Sequence, residues 1–136
     1  METLDRVAVT ERGGIQGDFR GAVLPGARGR RQVTLIERAD WEAAMALVGH
    51  NVPWQERRAN LLVDGIDLPQ RPDVVLAIGA KVRVRITVEC DPCQRMEAIA
   101  PGLKAALTPD WRGGACARVI AGGTIAVGDE IRIEEP

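Results

Sequence analysis

Between Lys81 and Cys90 every second residue is apolar: Val82, Val84, Ile86, Val88 and Cys90 alternate with Lys81, Arg83, Arg85, Thr87 and Glu89. Such a segment can bury one face and wet the other only as an extended strand, because side chains leave a strand with a period of two. Shorter runs at Val33 to Ile36, Asn60 to Val63, Val74 to Ile78, Ala115 to Ile120 and Glu130 to Glu134 predict further strands. Fifteen Gly and eight Pro fall mainly between these runs, with Gly122-Gly123 and Gly128-Asp129 as turn signals. Helical patterns are scarce. Trp41 to Val48 predicts a short helix with Asp40 as N-cap and Gly49 at its end, a second helix starts near Cys93, and Leu103 to Leu107 forms a single turn. Gly13 to Arg30, with Gly13, Gly14, Gly17 and Gly21 before Pro25-Gly26, predicts a long loop. The expected fold is mainly β: a closed or partly closed β-barrel with a few short helices, closure being how antiparallel sheets dispose of their edges. At 136 residues, one domain over 1–136 is expected.

Composition narrows the function. The chain is 46% hydrophobic and 27% charged, which suits a packed core rather than disorder. Eighteen Lys and Arg against nineteen Asp and Glu give a net charge of -1, so no global field draws it to nucleic acid or an anionic membrane. The four aromatics, Phe19, Trp41, Trp54 and Trp111, are not interleaved with basic residues as nucleic-acid surfaces require; Trp54 and Trp111 either border a site or pack the barrel rim, packing being the preferred reading. No apolar run approaches the roughly 20 residues of a membrane span, and Met1 to Asp5 lacks a basic-then-apolar leader pattern. A cytoplasmic location follows as the expectation. Three cysteines, an odd number, then imply free thiols rather than a disulfide framework.

Those thiols carry the most informative stretch, Glu89-Cys90-Asp91-Pro92-Cys93-Gln94-Arg95-Met96. Asp91 suits an N-cap, Pro92 a first helical position and Gln94 the reciprocal place of a capping box, which would put Cys93 in a first helical turn. Unpaired backbone N–H groups there favour thiolate over thiol, and Arg95 adds to the effect. Cys90 ends the apolar face of the strand and reads as a small buried hydrophobe. The C-x-x-C pair could also be two packed cysteines or a thiol-disulfide redox pair, although the redox motif usually opens the helix of a parallel βαβ unit. Structural zinc is not expected, because Cys116 and His50 offer no second ligand pair at metal spacing. Two basic clusters follow. Arg28, Arg30 and Arg31 border the Gly-rich loop, and Arg57-Arg58 precede Ala59-Asn60; forked guanidiniums suit phosphate, and the Asn amide suits the edge of a heterocycle.

The ordered set of motifs resembles the MOSC domain, named for the C-terminal domain of molybdenum cofactor sulfurase. The resemblance rests on Gly14-Ile15-Gln16-Gly17-Asp18, Arg31 to Ile36, Arg57 to Leu68, Cys90 to Met96 and Gly113 to Asp129, in family order over nearly the whole chain. It implies a barrel like that of the pyruvate kinase barrel domain, with one functional cysteine near its mouth. The matching position is Cys93, which in sulfurase-type members is proposed to carry sulfur as a persulfide and in amidoxime-reducing members ligates molybdenum. Arg58 and Asn60 match positions that hold molybdopterin in the reducing members; Arg31 and Arg118 are further candidates from their motifs and charge. The implied activities are sulfur carriage or molybdenum-cofactor binding and, alternatively, reduction of N-hydroxylated substrates with a separate electron donor. The implied partners are a cysteine desulfurase as sulfur donor and a molybdoenzyme or electron-transfer protein. Many members read Gly-Asp-Arg-His where this chain has Gly17-Asp18-Phe19-Arg20, and His50 is not in the matching place. The reducing members also carry an N-terminal barrel domain over the cofactor, and the full sulfurase an upstream desulfurase; 136 residues leave room for neither, so an open site, or one completed by another protein, is expected, with the sulfur source acting in trans.

Overall fold

Two sheets share one apolar interior in the computed structural model, which describes residues 5–15, 32–54 and 59–134. In chain order the strands are β1 (Arg6–Thr10), β2 (Gly14–Ile15), β3 (Val33–Glu37), β4 (Leu61–Val63), β5 (Val75–Ile78), β6 (Val82–Glu89), β7 (Ala115–Ala121), β8 (Gly123–Ala126) and β9 (Ile131–Glu134). The helices are α1 (Arg38–Val48), α2 (Gln94–Ile99) and α3 (Leu103–Leu107), with a 3-10 turn at Pro109–Trp111. A six-stranded sheet in the order β4-β3-β7-β6-β5-β9 curls into a half-barrel, and a three-stranded sheet, β2-β1-β8, packs against β6 and β7. This is the mainly β, partly closed barrel expected from the sequence. No helix among the described residues is long and apolar enough to cross a membrane.

The inner face holds Val33, Leu35, Leu76, Val82, Val84, Ile86 and Val119, each 2% exposed or less. Complete burial of such side chains contributes roughly 1.5–3 kcal/mol apiece, so this row is the main source of cohesion. The three helices cover the outer face near β3 and β4, burying Ile36, Trp41, Met45, Met96, Leu103 and Leu107 in a second cluster. Trp41 Nε1 donates to the Val52 carbonyl at 2.9 Å, which satisfies its one polar atom inside that cluster. Trp54 packs against the same cluster and Trp111 against the inner core.

The structure corrects several local expectations. Helix α1 begins three residues earlier than Trp41, with Glu37 rather than Asp40 at the N-cap; Asp40 sits in the first turn, where a negative charge meets the positive end of the helix. Gly49 ends the helix as expected, its N–H donating to the Met45 carbonyl at 3.0 Å. Gly122-Gly123 is not a turn. Gly123 opens β8, and Gly122 is the corner at which the chain leaves one sheet for the other; a Cβ there would lie 2.7 Å from the Val9 carbonyl oxygen. Strands β3 and β4 pair in parallel through α1, a βαβ crossover within an otherwise antiparallel sheet. Around Cys90 the pairing is antiparallel, as expected. Of the Gly13 to Arg30 loop, Gly14–Ile15 is a short strand and residues 16–30 lie outside the described residues.

The largest departure is a bulge in β6. The register with β7 shifts between Ile86 and Val88, so that Ile86 faces Ala117 whereas Val88 faces Cys116 and Glu89 faces Ala115. An extra residue in one strand re-aims every side chain that follows it. Val88 and Cys90 therefore share the outer face with Cys116. Glu89, expected on the wet face, joins Ala115 and Leu35 on the inner face at the end of the barrel.

Candidate functional site

Strands β4, β3, β7 and β6 are neighbours in that order, and their registers place Asn60, Thr34, Cys116 and Val88 in a row across the outer face. Cys90 lies beyond this row at one end, its N–H donating to the Gly114 carbonyl at 2.9 Å. Arg118 lies on the other side of the row, exposed and directly opposite Arg85. Two residues along a strand span about 7 Å, so Arg118 and Cys90 are separated by roughly twice that along the sheet. Arg31 and Arg58 lie outside the described residues.

Asn60 is tied to the scaffold. Its Oδ1 accepts from the Thr34 backbone N–H at 2.9 Å and from Thr34 Oγ1 at 3.2 Å, and its own N–H donates to the Thr34 carbonyl at 3.0 Å. The oxygen half of the amide is thus fixed by β3, and the nitrogen half is the end not committed to Thr34. Asn60→Ala is expected to cost about 1–2 kcal/mol in chemical denaturation, because the Thr34 donors lose their acceptor. Asn60→Asp retains that oxygen and should cost less than half as much; equal losses would show that Oδ1 is not the structural atom.

Cys93 is exposed, whereas Cys90 and Cys116 are buried, and none of the three is in a disulfide. The helix start differs from expectation. Cys93 itself is the N-cap of α2, with extended backbone (φ −121°, ψ 179°), and its side chain makes no capping hydrogen bond. The cause lies two residues earlier. A residue before proline is driven to extended backbone, and the Asp91 carboxyl stands beside that of Glu89. Burial and then the neighbouring Asp91 push the Glu89 carboxyl above its ordinary range. With six residues, α2 is short, so exposure and an uncommitted side chain, more than the helix dipole, distinguish this thiol.

A comparison with protein families matches the MOSC domain over residues 16–132. The chain belongs to the MOSC domain family. Among curated proteins, none matches the sequence. Solved structures share the fold: YuaD from Bacillus subtilis, at TM-score 0.78 and 21% identity, covers 96% of this chain and 85% of its own. YiiM from Geobacillus stearothermophilus (TM-score 0.72, 16% identity) and YiiM from Escherichia coli (0.72, 14%) each match 98% of this chain. This MOSC domain spans 62% and 64% of those two chains.

Within the MOSC domain the residues missed by sequence reasoning are carboxylates. Glu89 was hidden by the bulge, which no local residue signals. Glu37 and Asp40, three apart across the β3–α1 junction, form a second carboxyl pair; burial first, then the Asp40 charge, pushes Glu37 from 4.5 to about 7 against the opposing Leu68 N–H, and burial raises Asp40 as well. Among the described residues, no group of three or more His, Cys, Asp or Glu side chains is arranged to hold a metal ion. The donor that the site does offer is a single exposed thiolate-forming side chain at Cys93, a soft ligand of the kind a molybdenum cofactor would accept.

Proposed function

We propose that this MOSC domain works through Cys93 as a sulfur-carrying and molybdenum-cofactor-binding module, with partner proteins supplying the remaining chemistry. The observation that carries the reading is that Cys93 alone among the cysteines is exposed, at the strand-to-helix junction, with its side chain uncommitted to the helix cap. As a carrier, its thiolate attacks the outer sulfur of a persulfide on a cysteine desulfurase. The new bond joins that sulfur to Cys93 Sγ, the donor's S–S bond breaks, and the donor leaves as a thiolate, so no external oxidant is needed. For the cofactor, Cys93 would face the metal, while Arg58 and the amide nitrogen of Asn60 would hold the pterin, with Arg31 and Arg118 as outlying anion contacts. When bound, molybdenum would supply two-electron oxygen-atom exchange. The burial of Cys90 speaks against a Cys90–Cys93 redox switch.

Native intact mass tests the reading on wild type, Cys93→Ser and Cys90→Ser, each from a molybdenum-replete host and again after incubation with a cysteine desulfurase and free cysteine. Wild type and Cys90→Ser should gain one sulfur atom or a molybdopterin mass; Cys93→Ser should gain neither. A gain in Cys93→Ser equal to that of wild type, or none in wild type under both conditions, overturns it. A molybdopterin mass together with turnover of an N-hydroxylated substrate would shift the assignment to the oxidoreductase.

A further inference from the structure

The six-stranded sheet has two edges, β4 and β9. Every residue of β4 is half-buried or buried, with Leu62 packed against the helices, whereas on β9 Arg132, Ile133 and Glu134 are all exposed, Ile133 at 41%. The pairing with β5 fixes what this edge presents. The Gly79 N–H donates to the Glu130 carbonyl at 2.8 Å, and from that bond the register runs Ile131 to Ile78, Arg132 to Ala77, Ile133 to Leu76 and Glu134 to Val75. Successive residues of an antiparallel strand turn their N–H and C=O groups alternately to one neighbour and the other, so those of Glu130, Arg132 and Glu134 point at β5 and those of Ile131 and Ile133 point away from it. An open row of main-chain donors and acceptors is a template for another strand, and proteins ordinarily blunt it with a proline, a bulge or an inward-pointing charge. Within Ile131–Glu134 there is none of these. Ile131 and Ile133 lie on the inner face with Ile78 and Leu76, and Arg132 and Glu134 stand on the outer face.

We propose that β9 is the surface at which a second copy of this chain docks, strand to antiparallel strand, about a dyad through Ile133. In that register the outward N–H and C=O of Ile133 bond to those of Ile133 in the second copy, and the two exposed Ile133 side chains meet across the dyad. Arg132 of each copy then lies opposite Glu134 of the other. These charged positions are the non-hydrogen-bonded ones, where facing side chains come closest. Within one chain Glu134 already holds Arg83 at 2.9 Å, so the dimer extends that pair into a row of alternating charge across the joint. Charge also selects the register, because like charges directly opposite destabilise a sheet. A dyad through Arg132 sets Arg132 against itself and Glu130 against Glu134, and one through Glu134 sets Glu134 against itself. A dyad through Ile131 would match Arg132 with Glu130, but it places the exposed Ile133 opposite Asp129, which lies off the strand. So short an edge makes a small interface, and the association is expected to be weak and concentration-dependent. The inference does not depend on the chemistry proposed for Cys93.

The test is sedimentation equilibrium of the full chain up to about 1 mM, in which the mass should rise with concentration from 14.7 kDa toward twice that value. Arg132→Glu and Glu134→Arg should each weaken association by about tenfold or more, since either reversal brings two pairs of like charges together. Mixed in equal amounts, the two variants should associate again, because every facing pair is then of opposite sign. Glu134→Arg leaves a dyad through Ile131 untouched and so separates the two registers. Both substitutions fall on exposed residues, and circular dichroism checks that each variant is folded. Hydrogen exchange reads the main chain directly: the Ile133 amide should gain protection as the wild-type concentration rises, while the Arg132 amide, committed to β5, should not change. A wild type that stays monomeric throughout, a folded variant that associates as tightly as wild type, or a mixture that does not recover overturns the proposal. So does any species larger than a dimer, since a dyad through Ile133 closes on itself.

Discussion

Gly114→Ala is expected to destabilise the protein by about 3–5 kcal/mol, enough to lower its melting temperature by on the order of 10 °C. Gly114 has a φ of +105°, a conformation that an L side chain adopts only under strain. A Cβ there would also be driven into the Leu35 carbonyl oxygen and crowd the backbone of Ile36. Because the obstruction is main chain of β3, no rotamer change relieves it; β3 and β7 must separate where they are hydrogen-bonded. Gly49→Ala isolates the second effect. Gly49 has a φ of +71° with nothing within 4 Å of the added carbon, so it carries conformational strain alone and should cost about 1 kcal/mol. Equal losses in the two variants, measured by urea denaturation with unchanged m values, would reject the collision.

The same glycine positions the candidate thiol. Its carbonyl accepts the Cys90 N–H and its N–H donates to the Trp111 carbonyl, both at 2.9 Å, so it joins the end of β6 to the 3-10 turn behind α3. The Cys90–Cys93 segment leaves the sheet from that bond. A displacement of Gly114 therefore alters the path into α2 as well as the core, and the folded fraction of Gly114→Ala should show increased proteolysis at the Cys90–Cys93 segment.

How much of this was readable in advance depended on whether a residue's surroundings were local. The alternation at Val82, Val84 and Ile86 is a property of one strand, and the structure repeats it. Past Ile86 the pattern misleads, because the bulge arises from pairing with β7 and Glu89 reads as a surface residue. Likewise Asp91, Pro92 and Gln94 form a plausible cap by local rules, yet the Asp91 carboxyl turns to Glu89 and the helix starts at Gln94. Strands β1 and β8 were not anticipated because each gains its place from the other, at the opposite end of the chain, and β2 because it is only two residues long. For the candidate site, the candidacy of Cys93 and of Asn60 was legible from residue order. The bonds from Asn60 to Thr34, 26 residues away, were not, nor was the carboxyl pair at Glu37.

Gln32 shows how far such a long-range contact can govern the fold, and Gln32→Leu is expected to cost about 2–4 kcal/mol. It is the buried polar side chain among the described residues, 1% exposed. Its Oε1 accepts from the Val119 N–H at 2.8 Å and its Nε2 donates to the Glu11 carbonyl at 2.6 Å. Strand β3 begins at Val33, opposite Ala117, and two residues further along β7 the Gln32 amide takes the Val119 N–H as a backbone carbonyl would. The other end of the amide reaches the turn between β1 and β2 and so fastens the small sheet to the large one. Leucine fills similar space but leaves the Val119 N–H buried without an acceptor, whereas the Glu11 carbonyl, on an exposed residue, can turn to water. The penalty should therefore concentrate on β7. Hydrogen exchange of the Val119 amide should accelerate beyond what the global loss of stability accounts for, while that of Val84, its neighbour on the β6 side, should follow the global change alone. Protection of Val119 that falls only in step with Val84 would mean that the bond to Gln32 does not hold this edge.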